Sequence, residues 1–230
     1  MLALQTMQSV LAKNQETESF TEDGSGPLAL ASALSDFFEI ASVLENGGQS
    51  LDTEQIAEFG EYGLDLLDRL AYQTRQLEIM DQRDNLARIY ASLAVWLVRR
   101  DAILNNLEGT ADGFAMLTNG LSDPRELAEI CLLMGEVLDA ASVAQQTDTD
   151  RSNPWRPWRI LNLNAGIAAT RSLDPQLMEQ TFEQLGRRLP HDMPGFLADG
   201  KRRMATQDIP APVREIMDRF VGRWPDKPPH

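Results

Sequence analysis

From Asp52 to Leu104 the apolar residues recur at steps of three and four, and no alternation of apolar and polar residues persists anywhere in the chain. The first spacing belongs to a helix with one buried face, and the second, which is missing, belongs to a half-buried strand. One set is Ile56, Phe59, Gly63, Leu66, Leu67, Leu70 and Leu77, and the other is Leu86, Ile89, Tyr90, Leu93, Trp96, Leu97 and Leu104. They predict two long helices, with the second ending near Asn105-Asn106. Residues 78–82 hold no Pro or Gly, so the turn between the pair is short or the break subtle, and a short connection favours antiparallel neighbours. Trp96 falls on the apolar stripe and is expected to be mostly buried.

The flanking sequence continues in the same register. Helices are predicted over 2–15, 27–45, a short piece around Phe114–Leu117, 124–145, 155–171, 175–189, 194–206 and 211–223. Pro27 suits a first helical turn, Asn46-Gly47-Gly48 a helix end, and Asp52 or Thr53 a cap. Ser122-Asp123-Pro124 and Ser172-Leu173-Asp174-Pro175 are two restarts of one kind, a capping carboxylate followed by Pro at the first helical position. Residues 16–26 read as a polar loop, and Pro225–His230 as a mobile tail. The fold class is therefore all-α. The expected architecture is an irregular superhelix of stacked helical hairpins with about 8–10 helices, and the alternative is a compact multi-helix bundle.

Charge divides the chain. Residues 1–150 hold 8 Lys and Arg against 26 Asp and Glu, whereas residues 151–230 hold 13 against 9. The reversal coincides with the polar stretch 146–153. The reading is a single all-helical domain, acidic over residues 1–145 and neutral to basic over residues 154–224. The two halves would pack together and melt cooperatively. The acidic surplus disfavours nucleic acid and anionic membrane as partners. No stretch reaches the roughly 18 apolar residues of a membrane span, and the start lacks the cationic region and long apolar run of a signal peptide. A cytoplasmic location is the expectation.

Residues able to carry chemistry are few. There are two histidines, and His230 ends the sequence while His191 lies in a Pro-flanked turn. The single Cys131 sits mid-stripe among Leu127, Ile130, Met134 and Leu138, where a small core residue belongs. No phosphate loop, nucleophile elbow or His-Glu-x-x-His pair is present. The sequence assigns no catalytic residue, metal or cofactor, and predicts a non-catalytic protein.

Two features point to partners instead. Asn153-Pro154-Trp155-Arg156-Pro157-Trp158-Arg159 places two of the four tryptophans three apart, each followed by Arg. These are the residue types that dominate interface hot spots, and they serve equally as anchors to the core. Glu58, Glu61 and Asp65 lie on the solvent side of the first central helix, either as a solvated flank or as a face for a basic partner. Arg187-Arg188 and Lys201-Arg202-Arg203 form a modest basic patch.

A third feature is a resemblance. Phe182, Leu185, Gly186, Leu189, Ala198, Ala205 and Pro210 are similar to the tetratricopeptide repeat in the type and offset of each residue. The match covers residues 182–210. It departs at Arg202, where an aromatic is usual, and Pro190 and Pro194 crowd the inter-helix turn. The resemblance implies a concave surface that receives a peptide or helix of another protein. Together these readings predict a protein-protein scaffold or adaptor. A structural homodimer and a helical ligand-binding protein or enzyme are the alternatives.

Overall fold

The structure is a computed structural model of the chain that describes residues 2–21, 24–48, 50–147 and 152–224. Residues 148–151 of the expected boundary, Glu22 and Asp23 of the expected loop, and the tail 225–230 with His230 lie outside the described residues. Of the described residues 77% are helical. Among the described residues there is no strand, only one isolated bridge between Leu104 and Ala141. The helices are α1 (Leu2–Thr17), α2 (Pro27–Glu45), α3 (Thr53–Gln76), α4 (Arg83–Val98), α5 (Glu108–Gly120), α6 (Pro124–Asp139), α7 (Val143–Thr147), α8 (Pro157–Arg171), α9 (Pro175–Arg188), α10 (Met193–Met204) and α11 (Ala211–Arg223).

The starts follow the cap chemistry in the sequence. Asp52 and Gln55 form a capping box, Gln55 N–H donating to Asp52 Oδ1 at 2.9 Å and Asp52 N–H to Gln55 Oε1 at 3.1 Å. Asp123 Oδ1 accepts from Arg125 N–H at 2.8 Å, and Asp174 Oδ1 from Gln176 N–H at 2.9 Å. The α3–α4 turn is not subtle. Glu78 takes a left-handed φ of 56°, a conformation usually left to Gly, and a 3₁₀ turn Met80–Gln82 follows.

The chain forms two compact units, residues 1–117 with 140–142 and residues 118–139 with 143–230. The division falls within α5, ahead of the charge reversal. In the first unit α1 packs on α2, α2 on α3, α3 on α4, and α4 returns to α1. Helices of unequal length thus close into a four-helix ring, around Met7, Val10, Leu30, Leu34, Phe37, Leu67, Leu70 and Leu97, all essentially inaccessible to water. Phe37 stacks on Phe59 at 4.4 Å. The buried Thr6 hydroxyl donates to Gln82 Oε1 at 3.1 Å, tying α1 to the α3–α4 turn.

Three expectations need correction here. α4 ends at Val98, not near Asn105, because the chain turns through Asp101 at a φ of 60°. Leu104 is buried as predicted, but in an extended segment: its N–H donates to Ala140 O and its carbonyl accepts from Ser142 N–H, both at 2.9 Å. That exchange also stops α6 at Asp139 rather than Gln145. Trp96 is half-buried rather than mostly buried. Its Nε1 donates to Glu45 Oε2 at 2.9 Å, and the Arg100 guanidinium lies 3.9 Å from its ring centre.

In the second unit α8 is central. It packs against α6, α9 and α10, and α11 joins α9 to α10. Its buried residues include Ala165, Gly166, Ala168 and Ala169, small enough to bring neighbouring helices close. Gly166 makes room for Phe196, whose Cζ would stand 2.7 Å from an added Cβ.

Candidate functional site: a groove over α8

Small residues on α8 let α6 and α9 stand on either side of it, and a cleft of about 310 Å³ opens between them within the second unit. Asn162 and Ala165 of α8 form the floor. Cys131, Leu132, Gly135 and Glu136 come from α6, and Leu177, Gln180, Thr181 and Gln184 from α9. Leu132 is 57% exposed at the lip. No atom lies within 4 Å of a Cβ built on Gly135, so the α6 wall is open there.

Arg188 and Asp139 close one end. The Arg188 guanidinium donates to the Asp139 carboxylate and, at 3.5 Å, to Asn162 Oδ1. It also lies 5.6 Å from the centre of the Trp158 ring. Burial lowers the guanidinium pKa from its ordinary value, and Asp139 opposes the change. The Cys131 Sγ lies 3.4 Å from Ala165 O and 3.5 Å from Thr181 Oγ1. Burial pushes this thiol up, which keeps it in the neutral, weakly nucleophilic form. The groove therefore offers apolar side chains, neutral amides, the Thr181 hydroxyl, the Cys131 thiol, the Glu136 carboxylate and the Arg188–Asp139 ion pair.

The residues singled out from sequence fall in two places. Trp158 is buried, as are most atoms of Arg156, whose Nη1 donates to Asn153 O at 2.5 Å. Arg159 donates from Nε to Asp192 Oδ1 at 2.6 Å and from Nη1 to Pro154 O at 3.0 Å. Of the four, only Trp155 faces solvent, at 77% exposure. The stretch thus serves mainly as an anchor, and the contact described for Trp158 is with Arg188 of its own unit. In the first unit Glu58, Glu61 and Asp65 are exposed on α3, and Glu61 accepts from Asn105 Nδ2. The basic patch is largely paired: Lys201 with Asp218, Arg202 with Asp199 and Arg188 with Asp139. His191 is exposed in its turn.

Sequence reading missed the groove. The signal lay in Leu132, an apolar residue off the stripe of Leu127, Cys131, Met134 and Leu138. Glycine at 135 beside it marked the gap. No family model, no curated protein and no solved structure matches this chain.

Proposed function

We propose that the protein is a non-catalytic scaffold or adaptor that holds a segment of a partner protein in the α6–α8–α9 groove. The observation that carries the reading is an open trough floored by Asn162 and Ala165, with an exposed Leu132 at its lip and amides along α9. A helix laid in such a groove buries residues at three- and four-residue spacing and leaves its polar side in water. α6 has 16 residues, about 24 Å of wall, enough for three to four turns of a bound helix. The tetratricopeptide-like reading belongs to this proposal. Phe182, Leu185 and Leu189 are buried along and just beyond α9, Ala198 is half-buried and Ala205 exposed. A cytoplasmic site of action goes with it.

The test fills the groove without touching the core. Gly135→Leu places a side chain in open space, so the melting temperature should hold. A photoreactive residue at the exposed Gln184 should cross-link one partner segment in native cells with wild-type Gly135 and lose it with Gly135→Leu. Cross-linking that is indifferent to Gly135→Leu would refute the groove as the binding site.

A further inference from the structure

α2 is apolar on the wrong side. Against the expectation that no stretch is apolar enough for a membrane span, an 18-residue window of it has mean hydropathy 1.4, which by length and composition suffices to cross one, yet only 28% of that window is buried. Its inner face is Leu30, Leu34 and Phe37. Leu28, Ser32, Asp36, Glu39, Ile40 and Val43 are all exposed. At 100° per residue they share one sector roughly 120° wide. Leu28 is 58% exposed, Ile40 45% and Val43 42%. On this sector the apolar side chains of Leu28, Ile40 and Val43 are interleaved with Ser32, Asp36 and Glu39, a mixed apolar and acidic face.

Charge decides what covers it. α2 contains no Lys or Arg; its Asp36 and Glu39 are exposed, and its Glu45 is taken by Trp96 and Arg100. Tyr62 of α3, half exposed, lies edge-on to Phe37 at 6.4 Å, and Glu58 and Asp65 are exposed on the same helix. The first unit as a whole holds 7 Lys and Arg against 19 Asp and Glu. A second copy would bring the same excess of negative charge, and an anionic lipid surface is repelled likewise. We propose that the outer face of α2 docks a cationic amphipathic helix of another protein. The partner's apolar side would cover Leu28, Ile40 and Val43, and its Lys or Arg residues would meet Asp36 and Glu39. Leu28 to Val43 spans about 22 Å, so the partner helix needs roughly four turns. This site is independent of the groove over α8 and gives an adaptor its second surface.

The probe is a labelled Leu/Lys amphipathic helix of about 18 residues, with a Leu/Glu helix of the same pattern as control, titrated into the full chain by fluorescence anisotropy. The Leu/Lys helix should bind, less tightly as salt rises, and the Leu/Glu helix should not. Leu28→Ser, Ile40→Ser and Val43→Ser combined should weaken binding on the order of tenfold or more at an unchanged melting temperature. If that variant folds poorly, Asp36→Lys with Glu39→Lys reads the same face and must weaken the Leu/Lys helix. Undiminished binding to the triple variant would mean charge alone and overturn the proposal. So would sedimentation as a dimer, or co-sedimentation with phosphatidylcholine–phosphatidylserine vesicles, that the triple variant abolishes.

Discussion

Gly63 and Gly135 both lie inside long helices, and replacing each by Ala should move stability in opposite directions. The shared part is intrinsic: Ala favours a helix interior over Gly by about 1 kcal/mol. The difference is local. A Cβ on Gly63 would stand 2.3 Å from Phe37 Cζ and 2.6 Å from its Cε2, so the ring must withdraw by about 1 Å to reach ordinary contact. It is not free to do so, because Phe37 is 1% exposed, stacked on Phe59 at 4.4 Å and edge-on to Phe38 at 5.2 Å. Overpacking a full core costs roughly 1–3 kcal/mol, and disturbing an aromatic pair about 0.5–1.5 kcal/mol more. Set against the helix gain, Gly63→Ala should destabilise the first unit by about 0.5–3.5 kcal/mol. Gly135→Ala meets no atom within 4 Å and should stabilise by about 0.5–1 kcal/mol. Native-state hydrogen exchange on peptides from α2, α3 and α6 separates the two units, which a single melting curve does not. A Gly63→Ala protein with slower exchange in α2 and α3 than wild type would refute the packing argument.

Two further outcomes follow from groups outside the groove. The Glu45 carboxyl is held below its ordinary value of 4.5 by the Trp96 indole N–H first and the Arg100 guanidinium next. A depressed carboxyl contributes stability that is present above the ordinary value and lost as pH falls through the lowered one. Trp96 fluorescence should therefore titrate below pH 4.5, and Glu45→Gln should remove that transition; a titration that persists in the variant would reassign it. Trp158 Nε1 is buried with no hydrogen-bond partner among the described residues. Trp158→Phe, which deletes that donor but keeps a ring, should change stability by less than about 1 kcal/mol, against about 3–5 kcal/mol for Trp158→Ala. Urea denaturation followed by circular dichroism compares them, and equal losses would show that the indole N–H is satisfied.

What the sequence determined is local: where helices lie and how most of them start. The 3.6-residue period exposed α3, α4, α6 and α9, and the Asp-Pro pairs placed the starts of α6 and α9, because a cap carboxylate and a proline act on the nearest backbone groups. The ends of α4 and α6 were decided by the tertiary structure. Leu104 is apolar at the right spacing, yet it leaves the helix to exchange hydrogen bonds with residues 140–142, a pairing no local pattern encodes. Trp96 was drawn half out of the core by Glu45, 51 residues away, and Arg156 and Arg159 were taken by Asn153, Pro154 and Asp192 instead of a partner. The groove is tertiary in origin too, for it exists only because small residues on α8 bring α6 and α9 alongside each other. The acidic charge was plain in the sequence. That Leu28, Ile40 and Val43 stay exposed among the acids of α2 was not, since periodicity shows that a helix has an apolar side but not how many of its sides the fold will bury.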